Sequence, residues 1–422
     1  MPDRVDGRLL VVIGGFSDDL LLAARSLGLR TAFFQTAAHL SAEQRAAADA
    51  VHVFDSLDDH GAIVRTALAL HRRTPLAHVV SNTEFGLEPA ALVAAELALP
   101  RAASPELVRL FRDKAAMRAA LSGTPGAVRA YTVRSSLEAA VAVRRLGSAA
   151  VVKPSDGWGS LVVELVRTPE DAVRAYDHIV AIGGRGALVE EYLAGQEVSV
   201  ETFSFDGRHV VVAVTEKFKL SNFVETGHLV PARLERRDVE AVSGAVVDFL
   251  TLLGLTDGPA HTEVILTPSG PRVVESHNRI AGDAIPTAVR AATGVDLVRW
   301  TVAWPMFAME PPETPPTASA AACVRFLTPS PGRVTVLPDV AALRQLDGVV
   351  EMSLAIGLGS LVRPVRHSFD RAGHVVVTAP DPEAALLLAD QVAAKAHLTT
   401  DDAVTVDLAA VTAAERRYLR GR

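Results

Sequence analysis

The sequence predicts a chain of mixed class, α/β and α+β: an N-terminal doubly wound α/β domain over residues 1–110, a central two-lobed region over 111–305, with one lobe at about 125–192, and a C-terminal α+β lobe over 319–422. Three observations predict it. Near the N-terminus, short apolar runs alternate with helical stretches, the pattern of a parallel sheet wrapped by helices. The middle of the chain carries apolar runs joined by short turns, at Asp206-Gly207 and Pro268-Ser269-Gly270, which reads as antiparallel pairing. A Pro-rich connector over 306–318 then sets off a last segment of strands and helices. At 422 residues the chain exceeds one ordinary core, and about three domains is the usual expectation at this length.

Composition bounds the function. The apolar fraction of 49% is that of a packed globular protein. A net charge of -7 shows no basic excess and weighs against a nucleic-acid or membrane-surface partner. The single cysteine, Cys323, excludes an intrachain disulfide and a cysteine zinc cluster, and its place on a strand reads as a small buried hydrophobe. The start Met-Pro-Asp-Arg-Val-Asp lacks a signal-peptide pattern, and no apolar run reaches about 18 residues, so a cytoplasmic protein is expected.

In the first domain, Arg8–Ile13, Thr31–Phe34, Val51–Phe54 and His78–Ser81 read as strands, with a helix from Asp18 to Gly28 after the first. Gly14-Gly15-Phe16-Ser17 lacks the G-x-G-x-x-G fingerprint, so NAD binding is not expected. Gly14, Gly15 and Ser81-Asn82-Thr83-Glu84 fall at strand ends where ligands bind in such sheets, although ordinary turns explain them equally well.

In the central region, Phe111-Arg112-Asp113-Lys114 opens a helix; Lys114 alone says nothing. The strand Ala149–Val152 delivers Lys153, and a Gly-rich loop, Ser155 to Ser160 with Gly157 and Gly159, follows. Glycines let backbone N–H groups converge on phosphate oxygens and Lys adds a point charge, but the Walker A pattern is absent and a plain turn fits as well. A strand ending at Glu190-Glu191 leads through Tyr192, Leu193 and Gly195 to a second strand from Glu197. Carboxylate acceptors at Glu190 and Glu197 suit an adenine amino group and ribose hydroxyls, while solvated strand ends are the plainer reading. The stretch Phe218–Pro231 shows no period and reads as a functional loop, in which Glu225 could hold an ammonium and His228 a phosphate or carboxylate. An amphipathic helix from Arg237 to Leu253 stops at Gly254.

The stretch His261–Asp283 carries the sharpest signal. Pro268-Ser269-Gly270 as a three-residue hairpin loop sets Thr267 opposite Pro271, Ile265 opposite Val273 and Glu263 opposite Glu275. Opposed like charges destabilise a ladder, with Cβ atoms only about 4.5–5.5 Å apart, whereas a divalent cation makes use of them. His277 shares their face by parity, with Arg279 just beyond; a solvated hairpin edge is the bland alternative. In the last segment, Ala322–Leu327, Val349–Leu354 and His374–Thr378 read as strands, Val340–Gln345 and Asp381–Ala394 as helices, and the polar tail from Thr399 as a surface helix.

Taken in order, these pieces resemble the ATP-grasp superfamily of carboxylate–amine ligases, and within it the L-amino-acid ligases such as the bacilysin-type dipeptide synthetase and carnosine synthase. The set is Asp113-Lys114, Val152-Lys153-Pro154 with its Gly-rich loop, Val189-Glu190-Glu191-Tyr192-Leu193 with Gly195-Gln196-Glu197, Glu225-Thr-Gly227-His228, and Glu263, Glu275 and Arg279. The resemblance covers nearly the whole chain and implies an ATP-grasp fold whose central region binds nucleotide. It implies ATP and Mg²⁺ as cofactors, usually two ions, with Mn²⁺ able to substitute. Lys114 and Lys153 would contact the phosphates and adenine region, and Ser155, Gly157, Gly159 and Ser160 would cover the phosphates. Glu190 would take the adenine amino group, Glu191, Tyr192 and Leu193 would form the hinge, and Glu197 would bind ribose. Glu263 and Glu275 would hold the metal. Glu225, Gly227 and His228 match the substrate motif of amino-acid ligases, and Arg279 would stabilise an acyl phosphate. Many relatives carry Asn two residues after the second metal Glu; here that place is His277, followed by Asn278. Parity turns His277 to the site and a bulge would bring Asn278 there instead, so either could complete the metal set; imidazole suits softer metals than Mg²⁺, which leaves substrate as the other role for His277. The expected partners are a small carboxylate, an amine and a second copy of the chain. The rivals are another ATP-grasp reaction, biotin-carboxylase-like or purine-pathway, and a non-catalytic nucleotide-binding module.

Overall fold

The computed structural model describes residues 6–155, 162–184 and 186–401. Gly157, Gly159 and Ser160, and the tail beyond residue 401, lie outside them.

Four parallel strands form the N-terminal sheet, in the order Ala50–Phe54, Arg30–Thr36, Leu9–Ile13 and Leu76–Val80. Strand Leu9–Ile13 is buried along its whole length because its alternating side chains feed two cores. Leu9, Val11 and Ile13 join one cluster, Leu10 and Val12 the other. The helix Glu84–Glu96 starts just beyond the fourth strand, which sets Glu84 at the carboxyl edge of the sheet.

A second, antiparallel sheet runs Ala130–Val133, Ala187–Glu191, Ala150–Pro154 and Glu164–Val166. Helices Ser136–Leu146 and Pro169–Ala181 cover one face, burying Val152 and Val189. Alternation turns Val151, Lys153 and Glu190 to the other face. One period-two pattern therefore builds both the core of this lobe and a charged wall.

The largest sheet has eight antiparallel strands: Gly270–His277, Gly258–Thr267, Gln196–Phe205, Arg208–Lys219, Glu225–Val230, Ala321–Leu327, Gly373–Ala379 and Val349–Leu354. The Pro-rich connector does not divide it, since Glu225–Val230 pairs with Ala321–Leu327 on its far side. Helix Arg236–Leu253, closed by Gly254 at φ +79°, packs Val246, Phe249 and Leu250 near the hairpin. Helix Ile285–Thr293 covers the middle, where Phe203, Phe205 and Trp304 meet. Cys323 is fully buried, and burial pushes its thiol up to about 12.

Three readings change. The hairpin loop has two residues, with Thr267 opposite Gly270 and Ile265 opposite Arg272; a bulge between Glu263 and Val264 then restores Glu263 opposite Glu275. Phe218–Pro231 is not a loop: Arg208–Lys219 reaches into it and Glu225–Val230 is a strand. Its period is hidden because His228 is as buried as Leu229 and Val230 beside it. At the chain's end, Thr399–Thr400 is a short strand against Gly332–Val336 in a small sheet the sequence did not signal.

Gly195 brings the connector against the hairpin tip, and a Cβ there would lie 2.2 Å from the Leu266 carbonyl oxygen, backbone against backbone. Gly195→Ala should cost about 1–3 kcal/mol, the usual range for overpacking, measured by urea unfolding, and should weaken nucleotide binding at the adjoining cleft.

Candidate active site

Between the second sheet and the large one lies a cleft of about 460 Å³. Its chemistry begins at helix Lys114–Ala120, whose start is fixed by Asp113 accepting from the N–H groups of Ala115 (2.9 Å) and Ala116 (3.0 Å). Lys114 and Arg118, one turn apart, then reach two different walls. Lys114 Nζ stands 2.9 Å from Glu275 Oε2. Arg118 donates to Glu190 and to the carbonyls of Val273 (3.1 Å) and Val274 (2.5 Å). Lys153 Nζ is 2.6 Å from the other Glu190 oxygen. Burial pushes the Glu190 carboxyl up, but Lys153 and Arg118 outweigh it and hold it below the usual range.

Lys217 is the second node. Its Nζ pairs with Glu263 and lies 3.2 Å from Glu225 and 3.6 Å from Glu197; Lys219 pairs with Glu197 as well. Burial disfavours the Lys217 charge, yet the carboxylates of Glu263, Glu225 and Glu197 hold it well above the usual lysine range. Glu263 is itself held low by Lys217, against burial and against the facing Glu275. Oxygens of Glu197, Glu225 and Glu263 lie within 4.8 Å of one another. The donors at this end are carboxylate oxygens, which suit a hard cation such as Mg²⁺.

Two imidazoles flank the facing carboxylates. His261 and His277 sit opposite each other across the hairpin. His261 Nδ1 is 2.9 Å from Glu201 and its Nε2 3.7 Å from Glu263. His277 Nε2 is 3.1 Å from Glu275 and its Nδ1 2.8 Å from Glu84 of the N-terminal domain. Glu84 also accepts from Arg279 Nε at 2.6 Å, so the arginine is aimed by a residue from another domain. Burial pulls the His261 pKa down, but Glu201 outweighs it and the ring is pushed up to about 9.

His228 lies deeper. Its ring is buried edge-on to Phe326, and neither ring nitrogen has a hydrogen-bond partner among the described residues. Asp283, 3.7 Å away, is pinned by two bonds from Arg371 of the C-terminal lobe (2.7 and 2.9 Å). Gly227 lets the strand Ala321–Leu327 pack closely beside it: a Cβ there would lie 2.5 Å from the Val324 carbonyl oxygen.

The structure brings Lys114, Lys153, Glu190, Glu191, Tyr192, Leu193, Glu197, Glu225, Glu263 and Glu275 to the lining of one cleft. Ser155 stands beside it, its N–H bonded to Gly186 O. Gly227, His228, His277 and Arg279 do not line the cleft, and Asn278 lines a separate, smaller cavity with His78, Phe203 and Trp304. Of the two candidates beyond Glu275, His277 ends the strand on its face with Nε2 3.1 Å from it, whereas Asn278 lies past the strand's end. Sequence reasoning missed Arg118, Lys217, Lys219, Glu201, Asp283 and Arg371, and the pairing made by Glu84. Lys217 and Lys219 left one readable signal, two lysines at strand spacing with the Glu225 motif following.

With this geometry in place, comparison with known proteins gives three matches in chain order: an ATP-grasp N-terminal domain over 21–101, an ATP-grasp domain over 146–287, and an L-amino acid ligase C-terminal domain 2 over 325–401. The chain belongs to the ATP-grasp superfamily. Dapdiamide A synthase of Enterobacter agglomerans is 25% identical over 55% of this ATP-grasp chain and 58% of its own length. Human carnosine synthase 1 is 27% identical over 70% of this chain and 39% of its own. The chain thus spans less than two thirds of these curated relatives. The crystal structure of an L-amino acid ligase from Bacillus licheniformis superposes with a TM-score of 0.81 at 20% identity, covering 94% of this chain and all of that one, which places the fold. No helix among the described residues is long and apolar enough to cross a membrane.

The His261–Glu201 pair has a pH signature. Because the folded pKa is raised from 6.5 to about 9, its contribution to stability is complete below about pH 6.5 and is lost as pH rises through about 9. Urea unfolding of the metal-free protein should show this decline, and His261→Gln should flatten it.

Proposed function

We propose that the protein is an ATP-dependent carboxylate–amine ligase that forms an amide bond through an acyl phosphate. One observation carries the reading: Glu263 and Glu275 face each other on the hairpin, beside a cleft lined by Lys114, Lys153 and Lys217. Negatively charged phosphate oxygens and a hard cation are what such a combination accommodates. The names of the relatives, dapdiamide A synthase, carnosine synthase 1 and an L-amino acid ligase, support an amino acid as one substrate.

ATP fits with its adenine edge along the backbone of Glu191–Leu193 and near Glu190, its ribose at Glu197 and its phosphates toward the lysines. Glu263 and Glu275 would hold Mg²⁺, which when bound neutralises phosphate charge and draws electrons from the transferring group. Lys114 and Lys217 are poised to exchange a carboxylate for a phosphate oxygen once nucleotide enters. A substrate carboxylate oxygen forms a bond to the γ-phosphorus while the bond to the β-phosphate oxygen breaks, giving an acyl phosphate and ADP. The amine nitrogen then bonds to the acyl carbon, phosphate leaves, and the ammonium proton is lost. Arg279, held by Glu84 outside the cleft lining, would stabilise the charge on the acyl phosphate. Glu225 is available to hold the amino group of an amino-acid substrate, and His228, buried with Asp283 3.7 Å from its Nε2, is the candidate to donate to a phosphate or carboxylate oxygen. The lysines and Arg279 act chiefly by position and charge.

Phosphate and ADP release with ATP and Mg²⁺ against paired pools of amino acids and small carboxylic acids, followed by mass spectrometry, tests this. An amide mass that matches phosphate release is expected. Release that depends on bicarbonate instead would make this a carboxylase-type reaction, and nucleotide binding without release with any pool would leave a binding module. Glu275→Gln and Arg279→Ala should each lower ADP release by about 100-fold or more, and near-normal release by either would sink its assigned role. Lys217→Met should lose activity comparably while still binding adenosine, since it does not reach the hinge.

A further inference from the structure

Both facing carboxylates have an imidazole at their side, and each imidazole leans on a second carboxylate behind it. On one strand the chain of contacts runs Glu201, His261, Glu263; on the other it runs Glu84, His277, Glu275. The rings lie parallel to within 17° at 6.3 Å, and both are buried. The outer anchors come from different parts of the molecule: Glu201 from the neighbouring strand Gln196–Phe205, Glu84 from the N-terminal domain.

We infer that His261 and His277 are paired positioning residues that fix the orientation of Glu263 and Glu275 for a divalent cation. The inference rests on the cation of the ligase reading. Its physical basis is what happens when the cleft fills. The lysines that hold these carboxylates, Lys217 on Glu263 and Lys114 on Glu275, line the cleft and face incoming phosphates. The imidazoles do not line it, so an incoming phosphate does not compete for them: His277 Nε2 stands 3.1 Å from Glu275 and His261 Nε2 3.7 Å from Glu263. A carboxylate released by its lysine would otherwise swing, and a swinging ligand costs affinity; outer groups that orient metal ligands are worth about 10–100-fold in metal binding. The Glu84 side adds a tie across domains, because the same carboxylate that backs His277 also holds Arg279. Cation and arginine are therefore set in register through one acidic group on the helix Glu84–Glu96.

The test is binding, not turnover. Mn²⁺ is titrated into the metal-free full chain with saturating ADP, read by electron paramagnetic resonance and calorimetry; ADP alone is titrated in parallel. His261→Leu and His277→Leu should each weaken Mn²⁺ by about 10–100-fold, leaving ADP affinity without metal unchanged. His261→Gln and His277→Gln, which keep an N–H toward the carboxylate, should recover most of the loss. If a leucine variant does not fold, Glu84→Gln reports on the same brace from the N-terminal domain and should weaken Mn²⁺ by about tenfold. Mn²⁺ affinity equal to the parent's in the leucine variants and in Glu84→Gln overturns the inference and leaves the ligase reading standing. A loss that is matched for metal-free ADP, or that glutamine does not recover, makes the imidazoles plain packing and also overturns it. A parent protein that binds ADP but no Mn²⁺ removes the cation itself and overturns both.

Discussion

Two carboxylates forced to face each other in a buried place set the terms for the rest of this structure. Glu263 and Glu275 repel, and burial raises the cost of charging either one. The arrangement persists only with cations close by, and each cation comes from a different element: Lys114 from a helix start, Lys217 from a strand two removed in the sheet. Holding Lys114 in place requires the Asp113 cap, and the same helix uses Arg118 to clamp Glu190 and the hairpin backbone. The charged groups thus act as cross-links between the lobe, the hairpin and the N-terminal domain, where an apolar interface would leave the cleft closed.

Much of this was legible from residue types and spacing. The parallel N-terminal sheet followed from four apolar runs with helices between them, and the helix from Arg236 from its amphipathic period and its closing glycine. The facing carboxylates followed from counting along a hairpin, yet the count succeeded through two compensating errors: the loop is one residue shorter than expected and a bulge makes up the difference. Bulges leave no mark in composition, so a register counted from a turn holds only as far as the first one.

The stretch Phe218–Pro231 failed for a different reason. Period-two reasoning assumes that polar residues face water. Here Glu225 turns to Lys217 in the cleft while His228 is buried against Phe326, and the strands that carry them read as aperiodic. The charge pair beside His228 was out of reach for a third reason, which is distance along the chain. Arg371 and Asp283 are 88 residues apart, and nothing local to either announces the pair. Charge pairs formed across domains are set by topology, and a single sequence carries no record of them.

The unbroken sheet across the Pro-rich connector has a consequence for how the molecule could be divided. A connector of that composition invites cutting, as if the C-terminal lobe were a removable module. Cutting there would strip Glu225–Val230 of its neighbour and leave a bare edge of unpaired N–H and C=O groups, with Leu229 and Val230, both fully buried now, newly open to water. Such an edge is a template for self-association. The lobe is a lid on a seam, and removing it would open that seam to other chains.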